Sequence, residues 1–159
     1  ENNVRCMGRN ARGVKGISLR EGDGGRDRVV GAVVVDDAKH LVTITEGGFG
    51  KRSPFDDFRT MANRGGFGVR CHNITEKTGS LVAIKSVTED NDIMIITRGG
   101  LTIRMAGTDI SLLSRATQGV RLINLREGDS IAAVSVVAHE SEEEGVESEG
   151  ENGTHENEN

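Results

Sequence analysis

Arg64-Gly65-Gly66-Phe67-Gly68-Val69 is one copy of a pattern, Arg-x-x-x-Gly-Val, that also runs from Arg9 to Val14 and from Arg115 to Val120. The copies begin 55 and 51 residues apart. Repetition at a period of this size is the signature of a solenoid, a propeller or another array of one supersecondary unit. Longer matches surround the motif. Ile44-Thr45-Glu46-Gly47-Gly48 recurs as Ile96-Thr97-Arg98-Gly99-Gly100, an offset of 52 that also places Arg52 on Arg104. Leu19-Arg20-Glu21-Gly22-Asp23 recurs as Leu125-Arg126-Glu127-Gly128-Asp129.

The residues between these markers are strand formers. Val29 to Val35 and Leu41 to Thr45 flank Asp36-Asp37-Ala38-Lys39, and Leu81 to Val87 and Ile93 to Thr97 flank Thr88 to Asp92. β-Branched runs joined by Asp/Asn-rich turns read as hairpins. Gly47-Gly48 and Gly99-Gly100 supply the positive φ of a second tight turn. Helix is confined to single turns over Pro54 to Arg59 and Thr108 to Leu113, and Ile131 to Ala138 reads as a closing strand. Four short strands per copy describe a propeller-like blade, so the fold class is all-β, a partial array of about three four-stranded blades over residues 1–139. That is fewer than closes a ring, and the first residue is Glu1 within a few residues of a repeat, so the chain reads as the end of a longer polypeptide.

The composition agrees. Glycine, at 22 of 159 residues, is roughly twice its usual frequency, and aromatics are only 3%, which suits many tight turns between short strands. The formal charge of −5 conceals a segregation: residues 140–159 hold nine Glu and no Lys or Arg, which leaves 20 basic against 16 acidic groups, a net +4, in the repeats. A cationic body beside an acidic segment is the asymmetry of a chain that meets a polyanion. With one aliphatic residue, Val146, after Ser141, the segment 140–159 reads as a disordered acidic tail that solubilises, competes for the cationic rim or docks a partner. Cys6 and Cys71 have neither metal-ligand nor disulfide-framework spacing, which fits a reduced, cytoplasmic chain, and no apolar run is long enough to span a membrane.

The repeated cations are the functional signal. Arg9, Arg64 and Arg115 share one position, with Arg12, Lys15, Arg70 and Arg121 close by, and Arg52, beside Lys51, shares a second position with Arg104. Guanidinium forks at regular intervals beside glycine N–H groups suit the phosphates of duplex DNA. The same arginines also suit a structural role, each holding a carboxylate or carbonyl of the neighbouring blade. Gly13, Gly68 and Gly119 fit either a left-handed turn or the close approach of a phosphate. Phe67 either touches a sugar or folds back into the core. Gly50-Lys51-Arg52 is not a nucleotide-binding P-loop, because Thr45 stands where the first Gly belongs and Arg52 where Ser or Thr belongs. No Tyr is present for a phosphotyrosyl linkage, no catalytic constellation stands out, and without Trp or Tyr the stacking platforms for single strands are missing.

Arg5-Cys6-Met7-Gly8-Arg9-Asn10-Ala11-Arg12-Gly13-Val14, Gly48-Phe49-Gly50-Lys51-Arg52-Ser53-Pro54 and Ser114-Arg115-Ala116-Thr117-Gln118-Gly119-Val120-Arg121-Leu122 together resemble the later blades of the C-terminal domain of the A subunit of bacterial DNA gyrase, over residues 4–138. The resemblance implies a β-pinwheel whose neighbouring blades exchange strands. It implies a module, non-catalytic by itself, that wraps duplex DNA on a basic perimeter and so serves negative supercoiling by an ATP- and Mg-dependent type II topoisomerase. It also implies partners, namely the B subunit together with the rest of the A subunit, in an A2B2 heterotetramer. The family's box, Gln-Arg-Arg-Gly-Gly-x-Gly, has only a relative here, Ala62-Asn63-Arg64-Gly65-Gly66-Phe67-Gly68. The C-terminal domain of the topoisomerase IV A subunit is the alternative within the same class, and a propeller-type protein-interaction scaffold is the alternative outside it.

Overall fold

Two equivalent β-hairpins organise the computed structural model, which describes residues 4–22 and 25–139. After a two-stranded ribbon of β1 (Glu21–Gly22) and β2 (Gly25–Arg26) come β3 (His40–Thr45) and β4 (Phe49–Pro54), which form the first hairpin. β5 (Leu81–Val87) follows, then β6 (Asn91–Thr97) and β7 (Thr102–Ala106), which form the second hairpin. β8 (Val120–Arg121) and β9 (Ile131–Ala138) complete the set. Each hairpin turn is set by its second glycine, with φ of 78° at Gly48 and 84° at Gly100. A 3-10 turn, Phe55–Asp57 or Gly107–Asp109, follows each hairpin where single helical turns are expected.

Three of the four expected β-branched runs are strands, but the pairing differs from the expected hairpins. Val29 to Val35 is not paired with Leu41 to Thr45, nor is β5 paired with β6. β5 instead crosses back to β3, giving the sheet order β5-β3-β4-β8, and β9 crosses back to β6 in the order β7-β6-β9. The Asp/Asn-rich turn from Thr88 to Asp92, held by a hydrogen bond from the Thr88 N–H to Asn91 Oδ1 (3.0 Å), carries the chain between sheets. β-Propensity specifies that a segment is extended and half-buried; it carries no information on which edge the segment joins. The exchange repeats in detail, since the register shifts at Ile44/Thr45 against β5 and at Ile96/Thr97 against β9. Val29 to Val35, equivalent to β5 at the repeat offset, forms no strand among the described residues, and Val34 is 85% exposed.

One apolar core joins the two sheets: Val42 and Ile44 of β3, Ala83 and Val87 of β5, Ile93 and Ile95 of β6, Ile131 and Val134 of β9, with Ile110 and Ile123 from the connections. Burying a side chain of this class contributes roughly 1.5–3 kcal/mol. The first hairpin also receives chain on its other edge. Phe49 and Gly50 pair with Arg121 and Val120, and Arg52 bridges Leu112 in parallel. The acidic tail and its disorder lie outside the described residues.

Candidate nucleic-acid interface

The three Arg-x-x-x-Gly-Val segments are loops, the third running into β8 at Val120, and each is bent by its glycine, with φ of 80° at Gly13, 72° at Gly68 and 75° at Gly119. At Gly119 the requirement is double, because a Cβ would lie 2.5 Å from the Gly50 carbonyl oxygen. Turn geometry, the first of the two expected roles, is thus what this glycine serves.

Successive loops are hydrogen-bonded side by side. The Ser18 N–H donates to the Gly66 carbonyl (2.8 Å) and the Asn73 N–H to the Thr117 carbonyl (3.0 Å). Ser18 and Asn73 each stand nine residues beyond the arginine of their own copy, and Gly66 and Thr117 each two beyond theirs, so this is one bond repeated. Gly65 N–H to the Gly16 carbonyl (2.8 Å) and Ser18 Oγ to the Gly65 carbonyl (2.6 Å) add to the first junction. The arginine loops therefore follow one another along one course of the molecule.

Arg9, Arg12, Lys15, Arg64, Arg70 and Arg121 are exposed, and Arg115 is half-buried. The side chains of Arg9, Arg12, Lys15, Arg64 and Arg70 make no ion pair or hydrogen bond to a described residue. Arg64 lines a groove of about 180 Å³ with Gly16, Gly65, Gly66 and Gly68, where missing side chains leave backbone within reach of a ligand. Arg115 donates through one Nη to the Arg70 carbonyl (2.9 Å), and its N–H donates to Asp57 Oδ2 (3.1 Å). Arg121 donates to Asn124 Oδ1 (3.2 Å) and lies 5.3 Å from the ring centre of Phe49.

The cations of the second position do structural work. Arg52 Nε donates to the Ile110 carbonyl (2.7 Å) and an Nη to the Thr108 carbonyl (3.1 Å), which ties the first hairpin to the turn after the second. Arg104 Nε donates to Asp92 Oδ2 (2.7 Å) and an Nη to the Ala138 carbonyl (2.9 Å), which clamps β9. Lys51 is a plain correction: it is 0% exposed, and its ammonium is occupied by the carbonyls of Ser114, Arg115 and Thr117 (2.8, 2.6 and 2.9 Å) and by Thr117 Oγ1 (3.2 Å). Its donors are taken up inside the blade and are not presented at the surface. Burial holds the pKa of this ammonium below the ordinary lysine value, against the raising influence of Cys71 and Asp57.

Residues the sequence left aside join the site. His72 is buried, with Nδ1 3.0 Å from Thr43 Oγ1 and Nε2 2.8 Å from the Gln118 carbonyl. Arg20 stacks 4.7 Å from the ring centre of Phe67, which is exposed at its loop tip, so the ring neither enters the core nor stands bare. Arg20 recurs as Arg126 in the Leu-Arg-Glu-Gly-Asp match, but nothing in its spacing connects it to Phe67. Among the described residues no cluster of His, Cys, Asp and Glu is arranged to hold a metal ion, and no helix is long and apolar enough to cross a membrane.

Residues 1–36, 39–88 and 91–138 match the family model described as DNA gyrase C-terminal domain, beta-propeller. Among similar proteins are the A subunits of DNA gyrase from Staphylococcus aureus strains MRSA252 and NCTC 8325, each 44% identical over 146 residues, 91% of this chain. The chain spans 16% of the length of those relatives. Two solved structures share the fold. One, a structure of the DNA gyrase A C-terminal domain, superposes with a TM-score of 0.69 at 24% identity, covering 85% of this chain and 44% of its own. The other, a crystal structure of the C-terminal domain of DNA topoisomerase IV, gives 0.73 at 22% identity, covering 86% of this chain and 42% of its own.

Proposed function

The chain belongs to the DNA gyrase C-terminal domain family, and on that premise we propose that it lays duplex DNA along the course of its arginine loops, as a wrapping module of the gyrase A subunit. The observation that carries this reading is the repeated bond between loops, Ser18 to Gly66 and Asn73 to Thr117, which sets one cationic loop beside the next. A duplex offers phosphates at regular intervals, and a repeated cation is the matching geometry. Arg9, Arg12, Lys15, Arg64, Arg70, Arg115 and Arg121 are the contacts; Arg52 and Arg104 keep the blades in register instead. Because the binding reads backbone charge, it is insensitive to base sequence.

Wrapping by itself breaks no bond. Its role in the holoenzyme is to bend a segment of the same DNA toward the gate, where strand passage driven by ATP with Mg introduces negative supercoils. The tyrosine, the ATPase and the B-subunit contacts lie in other parts of an A2B2 assembly, in the cytoplasm. The identity to gyrase A subunits favours gyrase over topoisomerase IV, whose domain is matched here by fold.

The test is a gel shift of the 159-residue chain on duplex DNA at two salt concentrations. Retardation at low salt that weakens steeply at high salt supports the proposal; unchanged mobility at low salt favours a protein-interaction scaffold.

A further inference from the structure

Lys51 is the largest side chain fully buried among the described residues, and it forms no ion pair with a carboxylate there. A buried ammonium is tolerated only where its donors are matched. Here the match is made by three carbonyls of a single loop, those of Ser114, Arg115 and Thr117, reached across the blade boundary. Carbonyl dipoles satisfy the donors without cancelling the charge. The loop is thus drawn inward by its carbonyls over the ammonium, with the Asp57 carboxylate on the Arg115 N–H (3.1 Å) as the neighbouring anion, and the Arg115 side chain, half-buried, leans over the preceding loop to the Arg70 carbonyl (2.9 Å).

The repeat supplies an internal comparison. In the first hairpin Thr43 pairs with Lys51 and in the second Ile95 pairs with Ile103, so Ile103 stands where Lys51 does. The first hairpin carries a docked arginine loop on its β4 edge, whereas no strand among the described residues pairs with the free side of β7. Among the described residues the lysine stands on the hairpin that receives a loop, and isoleucine takes its place on the hairpin to which no described loop is docked.

We infer that Lys51 is a positioning residue for phosphate binding: from inside the blade it fixes the 114–117 loop, and it adds positive charge beneath Arg115 that Asp57, hydrogen-bonded to the Arg115 N–H, offsets only in part. This rests on the proposed binding of duplex DNA along the arginine loops. Lys51 never meets the ligand. Its effect reaches the phosphate through the shape of the loop and through the field that a buried charge sends to a nearby surface.

The experiment measures duplex DNA affinity of the 159-residue chain against salt, with thermal melting beside it, for K51M, R115A and K51M/R115A. R115A lowers the log–log slope by about 0.9, the loss of one phosphate contact. The inference expects K51M to lower the slope by a similar amount although its side chain is buried, and K51M/R115A to lose no more than R115A. A lysine that merely holds the blades together lowers the melting temperature and leaves the slope at its wild-type value, which overturns the inference while R115A upholds the DNA reading. Should K51M not fold, T117A decides, with T117S beside it: T117A removes one of the four ammonium contacts together with the hydroxyl's bond to the Ser114 carbonyl (2.9 Å), and is expected to weaken binding about threefold with little change in melting, while T117S, which keeps the hydroxyl, binds as the unaltered chain does. Wild-type affinity in T117A overturns the inference. Absence of salt-dependent binding by the unaltered chain overturns both readings together.

Discussion

Thr43 and His72, 29 residues apart, meet in the interior with Oγ1 3.0 Å from Nδ1, and the other ring nitrogen lies 2.8 Å from the Gln118 carbonyl. A carbonyl only accepts, so Nε2 carries the proton and Nδ1 accepts from the threonine hydroxyl: the ring is satisfied as a neutral imidazole. Burial first, then the Lys51 ammonium, hold its pKa below the ordinary value of 6.5, against the opposing bond to Gln118. A base with a depressed folded pKa gains protons on unfolding. Its contribution is therefore complete above 6.5 and is lost as pH falls through that value toward the folded one. Melting temperature is expected to drop between pH 7.5 and 5.5, and H72Q to flatten that slope; an equal slope in H72Q would assign the effect elsewhere.

Asp92 holds Arg104 and His139, each at 2.7 Å, at the end of β9. The His139 hydrogen bond foremost, then that of Arg104, lowers its pKa from the ordinary 3.8, against the raising effect of burial. A carboxylate depressed in the folded state stabilises above its unfolded pKa and loses that contribution as pH falls below 3.8. D92N is expected to melt lower at pH 7 and to show a shallower acid limb below pH 4, read by circular dichroism.

Arg64 and Arg52 separate binding from support. R64A is expected to lower the salt slope of duplex binding by about 0.9 with no change in melting. R52A is expected to destabilise by about 2 kcal/mol, having lost two charge-assisted bonds to carbonyls, while its slope stays at the wild-type value. Fluorescence anisotropy titrations at three salt concentrations, beside urea unfolding, distinguish them.

Gly119 and Gly13 have the same backbone sign but different surroundings. G13A introduces a Cβ with nothing within 4 Å, so only the left-handed backbone opposes it, at about 1–2 kcal/mol. G119A adds a collision with the Gly50 carbonyl, and a loss of about 3 kcal/mol or more is expected. Urea midpoints at unchanged m-value report both.

Much of this molecule is legible from residue order. The offset that maps Arg52 to Arg104 also maps hairpin to hairpin and one 3-10 turn to the other, because a repeated sequence meets the same local physics twice. Which strand completes each sheet was not legible from local pattern, although the family resemblance implied the exchange of strands between blades that β5 and β9 make. β5 and β9 satisfy the same local rules beside either neighbour, and the choice is made by the core shared between sheets. In the site, the arginines of the loops were legible as repeated cations; that Arg9 and Arg64 are exposed while Arg115 is half-buried against the Arg70 carbonyl was not. The contrast between Lys51 and Arg52 was not: adjacent in β4, they point to opposite faces, and only the chain that covers each face decides which is sealed in and which reaches carbonyls at the rim.

Since β9 lies against β6, at the centre of its sheet, a chain cut after residue 130 would not simply end one strand sooner. The lone hairpin of β6 and β7 would remain, stripped of Ile131 and Val134 from the common interior and of the bond from the Ile131 N–H to the Glu46 carbonyl (3.1 Å). Each module borrows its completing strand from the residues that come after it, so damage at the far end travels backward, and the described blades should melt in a single cooperative step.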